Sequence, residues 1–92
     1  MTYRVQPGIV LTKICDQYVL IPTHQASKIC PTVTIIPLFS AMIMKKVCAE
    51  KDPYSTTQFF SILKGWTEQE ARHYIQGILQ ELCKKGYLIE TE

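Results

Sequence analysis

With 92 residues, the chain has the length of one small domain, and we predict that residues 1–92 form a single unit. Its composition, 47% hydrophobic and 20% charged, is typical of a folded protein and argues against a disordered one. A net charge of +2 does not require nucleic acid or an anionic membrane as a partner. No apolar run reaches the ~18 residues of a membrane span.

A predicted hairpin opens the chain. Residues 9–15 and 18–21 are rich in apolar and β-branched side chains, which favour strands. The Asp16-Gln17 pair between them fits a two-residue turn. Pro22 ends the second strand, and the polar stretch over residues 23–30 is typical of a loop.

A third strand is predicted over residues 32–36, in a β-branched run bounded by Pro31 and Pro37. Pro37 has no backbone N–H, so it ends the strand and can serve as the first residue of a helix. A strand this short is typical of a sheet edge, and an edge can accept another chain as an added strand. Alternation places its side chains on two faces, Val33 and Ile35 against Thr32, Thr34 and Ile36.

Two helices are predicted over residues 37–49 and 56–63. The first has no side-chain cap before Pro37, because Ile36 stands there. For the second, Ser55 and Gln58 fit a capping box. Its apolar stripe consists of Phe59, Ile62 and Leu63.

A third helix has the clearest ends in the chain. Thr67 and Glu70 match a capping box, and Gly86 is the expected left-handed stop. Gly77, in its middle, is expected to mark a close contact. We expect the apolar tail over residues 87–89 to pack back against the core. Strands followed by helices predict an α+β, winged-helix-like domain with an N-terminal three-stranded antiparallel sheet and a three-helix bundle.

The four cysteines, Cys15, Cys30, Cys48 and Cys83, form no C-x-x-C pair and no zinc-like spacing with histidine. The first residues lack the apolar stretch of a signal peptide. We therefore expect reduced, mostly buried cysteines in a cytoplasmic protein that holds no metal or other cofactor.

Catalysis needs a nucleophile, a base or a metal in convergent geometry, and the sequence offers no motif for one. His24 falls in a loop, and His73 is expected on the solvated face of a helix. Glu68 and Glu70 are explained by capping, and Trp66 by anchoring in the core. We predict that the protein is not an enzyme.

Three compact helices also suggest a winged-helix DNA-binding domain. The candidate recognition helix, however, begins with Glu68 and Glu70, where the DNA phosphates would lie. In this half of the helix only Arg72 has a guanidinium group that could donate paired hydrogen bonds. Its basic pair, Lys84-Lys85, stands at the far end. DNA binding stays an alternative, as do a small dimerising accessory domain and a fragment of a larger maturase.

Four segments carry a resemblance to a known family. They are Val5-Gln6-Pro7-Gly8-Ile9-Val10, Tyr18-Val19-Leu20, Ile35-Ile36-Pro37-Leu38-Phe39-Ser40-Ala41-Met42-Ile43 and Leu82-Cys83-Lys84-Lys85-Gly86-Tyr87-Leu88. In them the chain resembles the PqqD-like family of RiPP recognition elements, typified by the pyrroloquinoline-quinone biosynthesis protein D. It departs from the family at Ile36, where an Asn is usual, and at Lys51-Asp52-Pro53, where Asp-Gly is common.

The resemblance implies a non-catalytic module that binds the leader segment of a ribosomally synthesised precursor peptide. It would present the core of that peptide to a maturation enzyme, such as a radical SAM protein. The leader would add as a strand beside the third strand and dock against the third helix. The implied contacts are Thr32, Val33, Thr34, Ile35 and Ile36 on the strand and Arg72, Ile75, Gln76, Leu79 and Cys83 on the helix.

Two of these expectations concern side-chain chemistry and assembly. Leu79 and Cys83 would supply apolar contact, and Arg72 would pair with an acidic leader residue. Val33, Ile35, Leu79 and Cys83 can equally be core residues. The protein is expected to be a monomer, or a dimer through the third strand, with no nucleic acid and no membrane partner.

Overall fold

The computed structural model describes residues 2–23, 28 and 32–91. The sequence expectations on His24, Cys30 and Pro31 lie outside these residues. The described strands are β1 (Thr2–Val5), β2 (Ile9–Ile14), β3 (Gln17–Pro22), β4 (Thr34–Ile36) and β5 (Leu88–Thr91). The described helices are α1 (Leu38–Cys48), a 3-10 turn (Pro53–Thr56), α2 (Thr57–Lys64) and α3 (Glu68–Lys84). The predicted α+β class, with an antiparallel sheet and three α-helices, is confirmed for this part of the chain.

The main sheet has the order β2-β3-β4 and is antiparallel throughout, as predicted. Its hairpin turn is Cys15-Asp16, one residue earlier than predicted. Both turn residues have positive φ, 49° and 64°, which is the geometry of a type I′ turn that matches the twist of the strands. Gln17 instead pairs with Ile14 and begins β3.

A second, two-stranded sheet joins the two ends of the chain and was not predicted. β1 pairs antiparallel with β5, with Val5 opposite Leu88. The pairing continues beyond the strands, because the Gln6 N–H donates to the Tyr87 carbonyl at 2.9 Å. Tyr87 and Leu88 are buried, so the expectation that the apolar tail packs on the core is confirmed, although the tail is a strand.

The core lies between the two sheets and the helices. α1 packs against β1, β2 and β3 and begins after Pro37 without a side-chain cap, as expected. α1 contributes four buried residues, Ala41, Ile43, Met44 and Val47. The remaining buried members of the cluster are Ile9, Leu20, Ile36, Phe60, Ala71, Ile75, Leu79, Leu82, Tyr87 and Leu88. No helix in the described residues is long and apolar enough to cross a membrane.

The start of α2 differs from the prediction. The 3-10 turn before it is capped by Asp52, whose Oδ1 accepts from the Tyr54 N–H at 2.9 Å, and α2 itself has no side-chain cap. The Ser55–Gln58 capping box was therefore wrong. The predicted apolar stripe was wrong as well: Phe60 is the fully buried residue, while Phe59, Ile62 and Leu63 are exposed. The added 3-10 turn rotates α2, so the neighbouring position faces the core.

α3 is the best-predicted element. Both bonds of its capping box are present, Glu70 N–H to Thr67 Oγ1 at 3.2 Å and Thr67 N–H to Glu70 Oε1 at 3.1 Å. Gly86 has a φ of 89°, as the predicted left-handed stop requires. Gly77, in contrast, marks no close contact, because a Cβ there would meet nothing within 4 Å.

The cysteines are less buried than expected. Cys15 and Cys48 are exposed and Cys83 is half-buried, and all three are free thiols. Cys15 is exposed because it stands in the hairpin turn, and Cys48 because it is the last residue of α1. The expectation of mostly buried cysteines was therefore wrong for the described residues.

Candidate functional site

One free edge of the main sheet is β4, which pairs with β3 on one side only within the described residues. In an antiparallel pair, hydrogen-bonded and non-hydrogen-bonded positions alternate. The two-residue turn is closed by the hydrogen-bonded pair Ile14–Gln17. Because every second residue of β3 bonds to the same side, the backbone N–H and C=O of Val19 also point towards β2. Tyr18 and Leu20 therefore bond towards β4, and the Ile35 N–H and C=O point away from the sheet.

Two prolines limit β4 to three residues. Beyond the Leu20–Thr34 pair, the next hydrogen-bonding position on β3 is Pro22, which has no N–H to donate. Pro37 follows β4 and precedes α1. The described edge therefore offers one central outward donor and acceptor, those of Ile35.

The side chains from Val33 to Ile36 alternate as predicted, but the strand begins at Thr34 and not at the predicted Thr32. Val33 and Ile35 are 59% and 61% exposed, while Thr34 is half-buried and Ile36 is buried. Thr32 is exposed. The interpretation of Val33 and Ile35 as core residues was therefore wrong, and both are available to a ligand on the outer face.

β4 is tied to the end of α3 by a side-chain hydrogen bond. The Thr34 and Tyr87 hydroxyls are hydrogen-bonded, and Tyr87 lies three residues after the end of α3 and directly before β5. The bond is partly buried, so it fixes the position of the edge strand relative to the C-terminal end of α3.

The predicted α3 contacts divide into two groups. Ile75 and Leu79 are fully buried, so they support the fold and present no surface to a ligand. Arg72 and Gln76 are exposed and lie beside Tyr54 of the 3-10 turn, with the Arg72 guanidinium 5.5 Å from the ring centroid. Arg72 also contacts Glu68 at 3.8 Å.

Cys83 completes the group on the Arg72 side of α3. It is half-buried, and its nearest ionisable neighbours are on β1 and β5, at Tyr3 and Glu90. Burial, followed by the Glu90 carboxylate, raises the pKa of the Cys83 thiol. The structure thus places Arg72, Gln76 and Cys83 beside the 3-10 turn and the second sheet, and it does not bring them together with Ile35.

The opposite flank of α3 carries Tyr74 and Ile78, both half-buried. Residues of an α-helix are about 100° apart, so these two lie across the buried stripe from Arg72 and Gln76. Tyr74 packs edge-on against Phe60 with ring centroids 5.3 Å apart, and Phe60 packs in the same way against Phe39. Phe39 belongs to the first turn of α1, directly after β4.

β4 and α3 are therefore connected at two places: at Tyr74 through the ring contacts of Phe39 and Phe60, and at the C-terminal end of the helix through the Thr34–Tyr87 hydrogen bond. Sequence reasoning did not single out Tyr74, the α3 residue that these ring contacts reach. Helical periodicity identifies the buried stripe of α3, but which flank leads to the sheet depends on how the helix is packed.

A cavity of about 410 Å³ lies at the other end of β4, lined in part by Ile35, Leu38, Tyr18 and Lys13. The hydrogen bond that Lys45 donates to the Tyr18 hydroxyl at 3.1 Å lowers the pKa of Tyr18. The cavity beside β4 is thus lined by apolar side chains together with one cation, Lys13, and one anion, Asp16.

Comparison of the chain with protein-family models, curated proteins and solved structures finds no match. Within the described residues, no group of three or more His, Cys, Asp or Glu side chains is placed to hold a metal ion. The candidate site is therefore defined by the geometry of β4 and its neighbours alone.

Proposed function

We propose that the protein is a non-catalytic peptide-binding module in which a leader segment of a ribosomally synthesised precursor adds to β4 as a fourth strand. The observation that carries this proposal is the outward N–H and C=O of Ile35 at an unpaired edge with exposed apolar side chains. The bound precursor would present its core to a maturation enzyme such as a radical SAM protein. The winged-helix-like, PqqD-like arrangement belongs to the same proposal.

Backbone pairing alone does not supply enough affinity. The Ile35 N–H and C=O make two hydrogen bonds with an added strand, each worth about 1 kcal/mol net. A micromolar complex needs about 8 kcal/mol. The remainder must come from buried apolar side chains, at about 1.5–3 kcal/mol each. The leader motif should therefore contain two or more apolar residues at alternate positions.

Apolar residues at alternate positions share one face of the added strand, where they would meet the Tyr74–Ile78 flank of α3. Val33 and Ile35 would border the opposite face of that strand. This assignment replaces Arg72, Gln76 and Cys83 as the proposed helix contacts, because their neighbours are on the 3-10 turn and the second sheet. Thr32 and Thr34 border the same edge. Ile36, Ile75 and Leu79 hold the strand and helix in place from within the core.

The test compares Ile35→Pro with Ile35→Val, using a dye-labelled leader segment and fluorescence polarisation. Ile35→Pro removes the outward N–H without removing a bond to β3, so leader affinity should fall more than tenfold while the melting temperature changes little. Ile35→Val keeps the N–H and should stay within about threefold of the parent. Thr34→Pro is unsuitable, because the Thr34 N–H faces Leu20.

Equal leader affinity in Ile35→Pro and the parent would exclude strand addition at β4. The free edge also favours one alternative, a small dimerising domain in which β4 pairs with β4 of a second copy. A dimer that forms without leader and is abolished by Ile35→Pro, in sedimentation velocity, would favour that alternative.

A further inference from the structure

A second cleft lies at the opposite edge of the main sheet, between β2 and the C-terminal half of α1. Its volume is about 410 Å³, and its lining includes Leu11, Lys13, Tyr18, Lys45 and Cys48. It shares Lys13 and Tyr18 with the cavity beside β4, but Ile35 and Leu38 do not line it.

The backbone of β2 faces this cleft with a free edge. β2 has six residues and pairs only with β3 within the described ranges. Hydrogen-bonded and non-hydrogen-bonded positions alternate along β2, starting from the hydrogen-bonded pair Ile14–Gln17. The backbone N–H and C=O groups of Val10 and Thr12 therefore point towards β3. The N–H and C=O groups of Leu11 and Lys13 therefore point outwards, which gives β2 two such positions where β4 has one.

The two charged side chains that line the cleft, Lys13 and Lys45, are both cationic. The ammonium groups of Lys13 and Lys45 lie 5.7 and 4.6 Å from the centre of the Tyr18 ring, and Lys45 donates to the Tyr18 hydroxyl. Neither lysine forms an ion pair with a described residue. No carboxylate lines the cleft, and Asp16 lies in the adjacent hairpin turn beside Lys13.

We infer that this cleft is a second peptide-docking site, which binds an extended acidic segment of a partner protein. The segment pairs with Leu11 and Lys13 as an added strand and places one Asp or Glu side chain between the Lys13 and Lys45 ammonium groups. An apolar residue two positions away, on the same face of the added strand, packs on Leu11. The charge of the two lysines selects an acidic segment, and the strand edge selects an extended one. The inference does not depend on leader binding at β4.

The test is an amide chemical-shift titration of the labelled protein with the peptide acetyl-Val-Thr-Glu-Thr-Val-amide. The amides of Leu11 and Lys13 and those at the end of α1 should shift, and a matched probe with Lys in place of Glu should leave them unchanged. Lys45→Gln should weaken binding of the acidic probe about tenfold, which corresponds to about 1.4 kcal/mol. Lys84→Gln removes the same charge from the exposed face of α3 and should have no effect.

The inference would be overturned by equal responses to the two probes, or by unchanged binding in Lys45→Gln. Shifts confined to Ile35 and its neighbours would place the probe on β4 and likewise exclude the β2 site. Concentration-dependent broadening of Leu11 and Lys13 without any probe would identify a second copy of the chain as the occupant and would also overturn it.

Discussion

The Thr34 hydroxyl of β4 is hydrogen-bonded to the Tyr87 hydroxyl, 53 positions further along the chain. β4 has only three residues, and within the main sheet it pairs only with β3. The Tyr87 contact is therefore what couples the position of the edge strand to the end of α3.

The coupling can be measured with Tyr87→Phe, Thr34→Val and the double variant. Tyr87→Phe leaves the Thr34 hydroxyl without this partner and should lower the free energy of unfolding by about 1–2 kcal/mol. Thr34→Val should cost a similar amount, and the double variant clearly less than the sum. Urea unfolding measures all three, and strictly additive effects would show that the hydrogen bond contributes nothing.

Gly77 offers a stabilising change. It lies in the middle of α3 and is exposed, and a Cβ added there would meet no atom within 4 Å, so Gly77→Ala should raise the free energy of unfolding by about 1 kcal/mol. The matched control is Gly65→Ala. That position is also open, but its φ of 68° should make alanine cost about 1 kcal/mol or more. Thermal unfolding of both variants checks the opposite signs, and a destabilised Gly77→Ala would contradict the assignment.

The two sides of α2 should respond very differently to truncation. Phe60 is fully buried and contacts the rings of Phe39 and Tyr74, so Phe60→Ala should cost about 3–5 kcal/mol. Ile62 is 75% exposed, and Ile62→Ala should change stability by less than about 0.5 kcal/mol. Denaturant titration gives both values. Comparable losses of stability in the two variants would mean that the Ile62 side chain is buried in solution.

Stability should fall at alkaline pH. Burial raises the pKa of Cys83 above the ordinary thiol value of 9.0, and it is the largest cause that raises the pKa of Tyr3 and Tyr54 above 10.0. The folded state thus favours the protonated forms. This contribution to stability is fully present below the pKa values of the unfolded state. It is lost as the pH rises through the pKa values of the folded state.

Burial also raises the pKa of the Cys48 thiol. Melting temperatures should therefore decline once the pH passes about 9.0, and the decline should begin closer to 10.0 only in the double variant Cys48→Ala/Cys83→Ala. Tyr18 works in the opposite direction, because its hydrogen bond from Lys45 lowers its pKa. That group is at the surface, where solvent screens its contribution. A melting temperature that rises across this pH range would contradict the assignment.

Local signals account for what could be predicted from sequence. The α3 capping box involves residues three positions apart, and the stop at Gly86 needs one left-handed residue, so neither depends on distant parts of the chain. The three strands of the main sheet were recognisable from β-branched runs between prolines and turns. The alternation that exposes Val33 and Ile35 follows from strand geometry alone.

The errors arise where distant segments decide the outcome. β1 and β5 have four residues each, too few for a clear alternation, and each needs a partner from the other end of the chain. The burial of Phe60 depends on the 3-10 turn that rotates α2. The side of α3 that leads to β4 depends on the Tyr87 contact and the Phe39–Phe60–Tyr74 ring contacts, which periodicity does not contain.

The pairing of β1 with β5 places Thr2 directly opposite Thr91. Directly paired residues of an antiparallel ribbon have Cα atoms about 4.5–5.5 Å apart, so the chain enters and leaves the fold at almost the same point. A linker of a few residues could close it into a circle, with new ends opened at the exposed Cys15-Asp16 turn. By the same geometry, the whole unit can be carried as an insertion within a surface loop of a larger protein, with the β2 and β4 edges left outside.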